Sequence, residues 1–255
     1  MTLTFGGVLL YLVSAGVFFL KTFLGVRVGP LPFIALVGGM GLYLLDFIST
    51  YISAGRFPVG DPYGMVSLMG NTMVALFLIT NGVMKRSLAD FGFIVALVGF
   101  FTTLAGIPAK KVGYPNPLYA YHILSAGVAY ASLILCGFAS LVKMIVERKL
   151  RAKHIEGFMV PVNLLRKTER ILINVGFIFL TLTLIFGSLW AKAFLGSHWI
   201  NDPKLMLTMG LWAYYALVVH LNLMKGLTPS RLSLLSLTGA LMVIGSIAFI
   251  RHTVS

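Results

Sequence analysis

Acidic residues are scarce in this chain: 7 Asp and Glu stand against 20 Lys and Arg, and charged residues make up 11% of the 255. A soluble domain carries about 25% charge, so an ordinary water-facing surface is excluded. Cysteine is nearly absent. Cys136 alone allows no intramolecular disulfide framework and no paired-cysteine metal site, and without a Cys-x-x-Cys-His run the chain is not itself a c-type cytochrome. A basic balance ordinarily raises nucleic acid as a partner. Here the cations are too few per unit length, and too interrupted by apolar runs, to track a phosphate backbone, so no nucleic acid is expected.

What is abundant is apolar: 58% of the residues. A hydrocarbon core about 30 Å thick takes roughly 20 apolar residues per helical crossing. Eight stretches meet that need, at approximately 3–20, 31–53, 65–83, 91–108, 118–142, 171–190, 205–223 and 232–250. Between them lie Gly29-Pro30, Arg56-Phe57-Pro58, Lys85-Arg86, the segment from Pro108 to Pro117, the basic stretch from Glu147 to Arg170, Asp202-Pro203 and Thr228-Pro229, which are turn and boundary signals. The expectation is an all-α, polytopic bundle of about eight transmembrane helices, with residues 1–255 as one transmembrane domain and no room for a soluble one. The first run has no Lys or Arg before it and is too long for a signal's apolar region, so it reads as a retained helix. No internal repeat supports an inverted-repeat transporter.

Counting cations between the runs gives an orientation. If the loop from Lys143 to Arg170 is cytoplasmic, 14 of the 20 Lys and Arg fall on that side and 6 on the other, namely Arg56, Lys110, Lys111, Lys192, Lys204 and Arg251. Both termini are then expected on the outer side, and most of the net charge becomes a topology signal with an attraction for anionic lipid.

Five histidines are sorted by this orientation. His122 lies about one turn inside the outer end of the fifth run, His252 just past the outer end of the eighth, and His198 in the outer loop between the sixth and seventh. His220 lies near the inner end of the seventh run, and His154 in the basic loop. A single histidine near a helix end is ordinarily an interfacial ring. The pair His122 and His252 is different: both are at the same depth, on the same side, on helices free to face each other, and two neutral imidazoles are the usual axial pair of a six-coordinate haem iron. Zinc would want further ligands, for which only His198 and Asp202 are near. His220 carries an ionisable group within a crossing, which either lines a polar path or snorkels to the interface. Asp46 in the second run is read as a hydrogen-bond partner of Ser49 or Thr50, as a polar link to another helix, or as a functional group.

The segment from Trp190 to Lys204 holds two of the three tryptophans within ten residues. That is the pattern of an interfacial aromatic belt. Gly196 and the Asp202-Pro203-Lys204 turn instead suit a defined loop over a flat apolar ligand such as porphyrin, with Lys110, Lys111, Lys192, Lys204 and Arg251 on hand for its propionates.

This arrangement resembles the CcsA-type haem-handling membrane proteins of System II cytochrome c biogenesis and their HemX-like relatives. That family bears a loop of the form W-G-x-x-W-x-W-D-P-K. Here the matching segment is Leu195-Gly196-Ser197-His198-Trp199-Ile200-Asn201-Asp202-Pro203-Lys204, in which Leu195 and Asn201 replace two tryptophans. Tyr121-His122-Ile123-Leu124 resembles the helix bearing the first outer haem ligand, Arg251-His252 the place of the second, and Trp212 to Gly226 the context of the family's intramembrane histidine, here His220. Gly55-Arg56-Phe57-Pro58-Val59 with Tyr63 resembles a short outer motif, with Gly64 where an acidic residue is expected. The resemblance is weak over 1–117 and strong over 118–255, the haem-handling half, which contains the tryptophan loop 190–204.

The resemblance implies a multi-pass protein of the cytoplasmic (inner) membrane that binds haem b at its outer face. His122 and His252 would ligate the iron, and Trp190, Trp199, Asp202 and Lys204 would form the surrounding site, for delivery to, or ligation with, apocytochrome c. His220 would mark a transit site whose second ligand comes from a CcsB-type partner protein. The chain would then be part of a cytochrome c haem lyase or synthase, and no residue is assigned a catalytic role because the thioether chemistry belongs to haem and client cysteines. Two other readings stand beside it: a HemX-like accessory or regulatory protein working through the basic loop, and a subunit of a membrane quinol or cytochrome complex.

Overall fold

The computed structural model describes residues 2–83, 88, 91–110, 113, 115–153, 160–224 and 226–249. Among these, every regular element of length is a helix: α1 (Thr2–Leu24), α2 (Leu31–Ala54), α3 (Pro62–Val83), α4 (Gly92–Ala105), α5 (Pro117–Arg151), α6 (Val162–Leu195), α7 (Pro203–Leu223) and α8 (Pro229–Phe249). Seven are long and apolar enough to cross a membrane, so the expected all-α polytopic bundle is what the chain forms. The exception is α4. Its 14 residues reach about 21 Å, because the run 91–108 gives way to turns from Gly106 onward.

Proline sets where helices begin. Pro62, Pro117, Pro203 and Pro229 are each the first residue of a helix, the position where a missing N–H costs nothing and the fixed φ is already helical. Asp61 and Asp202 stand immediately before two of these prolines and cap them alike. Asp61 Oδ1 accepts from Gly64 N at 2.8 Å, and Asp202 Oδ1 accepts from Leu205 N at 3.0 Å. Gly55 and Gly196 close α2 and α6 in the left-handed region, with φ of 61° and 77°, where a side chain would be strained.

The chain divides into two compact units, residues 1–116 and 117–255. In the first, α1 packs on α2 and α4, and α3 packs on α4. A polar knot ties these helices together. The Tyr11 hydroxyl donates to Asn71 Oδ1 at 2.7 Å, and Asn71 Nδ2 donates to Thr103 Oγ1 at 2.9 Å. Tyr11 can lie there because Gly39 and Gly99 leave room for its ring. Asp46 sits in this unit beside Ser49 and Thr50, whose hydroxyls donate to its backbone carbonyl. The Arg56 motif folds inward: Phe57 and Val59 are buried, and the Phe57 carbonyl accepts from Gly113 N at 2.8 Å.

In the second unit α5 packs on α6 and α8, and α7 closes the ring against α6 and α8. Here the structure corrects the expected loop from Lys143 to Arg170. Helix α5 runs on to Arg151 and α6 starts at Val162, so the connection is confined to residues 152–161. Continuing the helices keeps their backbone groups paired, and Arg148, Lys149 and Arg151 in the last turn of α5 complement its dipole. Lys143 is no loop residue. It is fully buried beside an equally buried Glu169, with Nζ 2.9 Å from Oε2.

Candidate functional site

Because the four helices of the second unit alternate in direction, the start of α5, the end of α6, the start of α7 and the end of α8 gather at one end. His122 lies in the second turn of α5. Its Nδ1 is 3.0 Å from the carbonyl oxygen of Thr183 on α6. A carbonyl can only accept, so Nδ1 carries a proton, and when the ring is neutral Nε2 is the lone-pair nitrogen. The ring rests over Gly187, where an added Cβ would come within 2.9 Å of Nδ1 and 3.0 Å of Cε1. Thr183 is itself held: its hydroxyl donates to Phe179 O at 2.8 Å and reaches Ser125 Oγ at 3.2 Å, and Ser125 Oγ donates to the His122 carbonyl at 2.9 Å. Ser125 and Thr183 are each 3% exposed, whereas His122 is half-buried. The imidazole is thus fixed in position and tautomer by buried groups while remaining at the surface of the unit.

Aromatic rings line the neighbouring turns of α5 and α6. Thr183, Gly187, Trp190 and Phe194 follow one another at helical spacing along one face of α6. Trp190 stacks on Phe194 with centroids 5.4 Å apart and meets Tyr119 of α5 at 6.1 Å, while Tyr121 lies 5.4 Å from Phe186. Trp190 is therefore a helical residue, and the connecting loop is only 196–202. Within that loop the Trp199 indole N–H donates to Asn201 Oδ1 at 3.2 Å, so the residue standing where the family pattern has a tryptophan holds the neighbouring one. Trp199 is 48% exposed and offers an open apolar ring. His198 lies in the same loop, 3.2 Å from Ser188 Oγ.

The Asp-Pro-Lys segment has a structural function that geometry makes explicit. Asp202 is fully buried as the α7 cap. Lys204 Nζ donates to the Ser246 carbonyl of α8 at 2.5 Å and stands 6.0 Å from the Tyr130 ring centre. Lys192 Nζ caps its own helix at Gly196 O, 3.0 Å away. Asp202→Ala should lower stability by about 1 kcal/mol, the usual worth of an N-cap, measured as a fall in thermal midpoint, with Asp202→Asn recovering most of it.

His220 sits at the opposite end, exposed on α7. His252 and Arg251 lie outside the described residues, as do Lys111 and His154. Among the described residues no three His, Cys, Asp or Glu side chains cluster as a metal site would require. A haem iron requires only two axial groups, and a fixed imidazole beside exposed aromatic rings suits one.

Sequence reasoning overlooked the cluster around Glu169. Ser140 Oγ donates to Glu169 Oε1 at 2.6 Å, and Lys143 Nζ donates to Glu169 Oε2 at 2.9 Å, to Pro229 O at 2.8 Å and to Ser233 Oγ at 2.6 Å. The Cys136 thiol, fully buried, donates to the Glu169 carbonyl at 3.4 Å. All three ammonium protons and both carboxylate oxygens are used, linking α5, α6 and α8. Ser140 and Lys143 follow Cys136 at spacings of four and seven, a helical stripe that could have pointed to it.

The cytochrome c assembly protein family matches residues 39–250 of the chain. A protein of Chlamydomonas reinhardtii named cytochrome c biogenesis protein CcsA is 29% identical over 217 residues, covering 79% of this chain and 60% of its own length. The protein of that name in Synechococcus sp. strain CC9902 is 28% identical over 146 residues, 48% of each chain. That of Prochlorococcus marinus strain MIT 9215 is 40% identical over 72 residues, 28% of this chain and 23% of its own. The chain thus spans about three fifths or less of these three relatives. With the match reaching from α2 to the end of α8 and including His122, the aromatic face of α6 and the Asp-Pro-Lys cap, the chain belongs to the cytochrome c assembly protein family.

Proposed function

We propose that this protein handles haem in cytochrome c biogenesis, holding haem b at the His122 end of its second unit for delivery to, or ligation with, apocytochrome c. The observation that carries the reading is the His122 imidazole, tied through Nδ1 to Thr183 O so that Nε2 is the nitrogen offered to iron. A hydrogen bond to the far ring nitrogen sets the orientation of a ligating imidazole and raises its basicity. His252 would supply the second imidazole, and Trp199 and Trp190 would give the porphyrin apolar walls, with Asp202 and Lys204 anchoring the loop. Haem bound there supplies the vinyl groups that react with client cysteines; the chain's own groups position it and exclude water. By the positive-inside count this end faces outward from the cytoplasmic membrane.

His220, exposed on α7, lies where a partner can reach it, and a CcsB-type membrane protein would contribute the opposing ligand of a transit site. An accessory role of the HemX-like kind draws on a separate observation: Lys192 and Lys204 are engaged with backbone carbonyls, leaving fewer cations for propionates. The two readings separate on purification from a haem-sufficient host. The haem-handling reading expects a low-spin, bis-histidine haem spectrum that survives His220→Ala; protein isolated without haem favours the accessory one.

A further inference from the structure

The inner end of α6 carries a feature that the haem site does not use. Asn163, Arg166, Lys167, Arg170, Ile171 and Asn174 line a cleft of about 250 Å³. Their spacing of three and four places them on one helical face. Three cations and two amides converge there, and among the described residues no carboxylate lines the cleft. Glu169, the acid closest in sequence, is turned into the bundle and saturated by Lys143 and Ser140. Arg166 Nε is buried and has no hydrogen-bond partner, although a guanidinium N–H withdrawn from water ordinarily finds an acceptor. Above the cleft the same face turns apolar and stays open, with Ile178 56% and Ile185 48% exposed.

We propose that this cleft is a binding site for the headgroup of an anionic phospholipid, whose acyl chain lies along Ile178 and Ile185. A phosphate offers the acceptor oxygens that Arg166 Nε lacks and that a guanidinium fork matches. Lys167 and Arg170, both exposed, add charge attraction at headgroup depth, since the cleft lies at and just before the start of the apolar run of α6. A free phosphate would satisfy the cations but make no use of the apolar stripe above them.

The test is thermal unfolding of the full chain in nanodiscs of phosphatidylcholine alone and with phosphatidylglycerol, together with competition binding of a spin-labelled phosphatidylglycerol. Phosphatidylglycerol should raise the unfolding temperature and bind at least about tenfold more tightly than phosphatidylcholine. The paired exposed-residue variant Lys167→Gln/Arg170→Gln should abolish that preference, whereas Arg148→Gln/Lys149→Gln on α5 should leave it. Arg166→Lys, which keeps the charge but removes Nε, should weaken it severalfold. Equal binding of the two lipids would overturn the proposal and leave the face to an acidic protein segment. Full displacement by millimolar inorganic phosphate would overturn the lipid assignment in favour of a free anion, and equal loss in the α5 variant would reduce the effect to general surface charge.

Discussion

Replacing Lys143 by methionine should cost the second unit about 3–5 kcal/mol, because it strands a buried carboxylate. Glu169 would keep the Ser140 hydroxyl on one oxygen and lose the ammonium from the other, while Pro229 O and Ser233 Oγ lose a shared donor. The double variant Lys143→Met/Glu169→Leu should recover much of this loss, since a hydrophobic pair of similar volume removes both desolvation penalties at once. A double-mutant cycle of detergent-solubilised protein, read by thermal midpoint, measures the coupling. An additive cycle would show that the pair is not held as the geometry has it. The cluster joins α5, α6 and α8, so its loss should loosen the whole ring of helices rather than one contact.

The second large effect concerns the proposed haem site around His122. Gly187→Val puts a branched side chain where the His122 ring lies, with even a first carbon only 2.9 Å from Nδ1. The ring must swing off the Thr183 carbonyl, losing orientation and tautomer together. Disturbing the group that orients a metal ligand typically lowers metal affinity 10–100-fold, and haem retention through purification should fall accordingly, with global stability changed far less than by Lys143→Met. Gly187→Ala should give an intermediate loss. Full haem retention in Gly187→Val would separate His122 from the iron.

The residues behind these two effects differ in how visible they are in the sequence. The crossings were legible because an almost uncharged apolar run of about 20 residues matches the thickness of a bilayer core, and the starts of α5, α7 and α8 were marked by Pro117, Pro203 and Pro229. His122 and Trp199 stood out as a polar and an aromatic residue at the edges of apolar runs, and Asp202-Pro203-Lys204 as a turn, but the α7 cap and the tie from Lys204 to α8 did not show, because both depend on backbone partners. Lys143 and Glu169 were not, because charges flanking an apolar run look alike whether the helix ends or continues, and only the partner 26 residues away decides. Thr183 was invisible for a related reason: it acts through its backbone carbonyl across 61 residues of chain, a role that any residue type could fill. Gly187 left a faint mark as a side-chain-free position within the sixth run.

Ligation of haem iron by His122 Nε2 is tested most directly by exogenous imidazole. Wild-type protein should show the visible and low-temperature EPR spectra of low-spin, bis-histidine haem. His122→Gly should lose most of its haem or hold it as a high-spin, five-coordinate species, and added imidazole should restore the low-spin spectrum by refilling the space the ring vacated above Gly187. A His122→Gly protein that keeps the wild-type low-spin spectrum without imidazole would contradict His122 as the ligand.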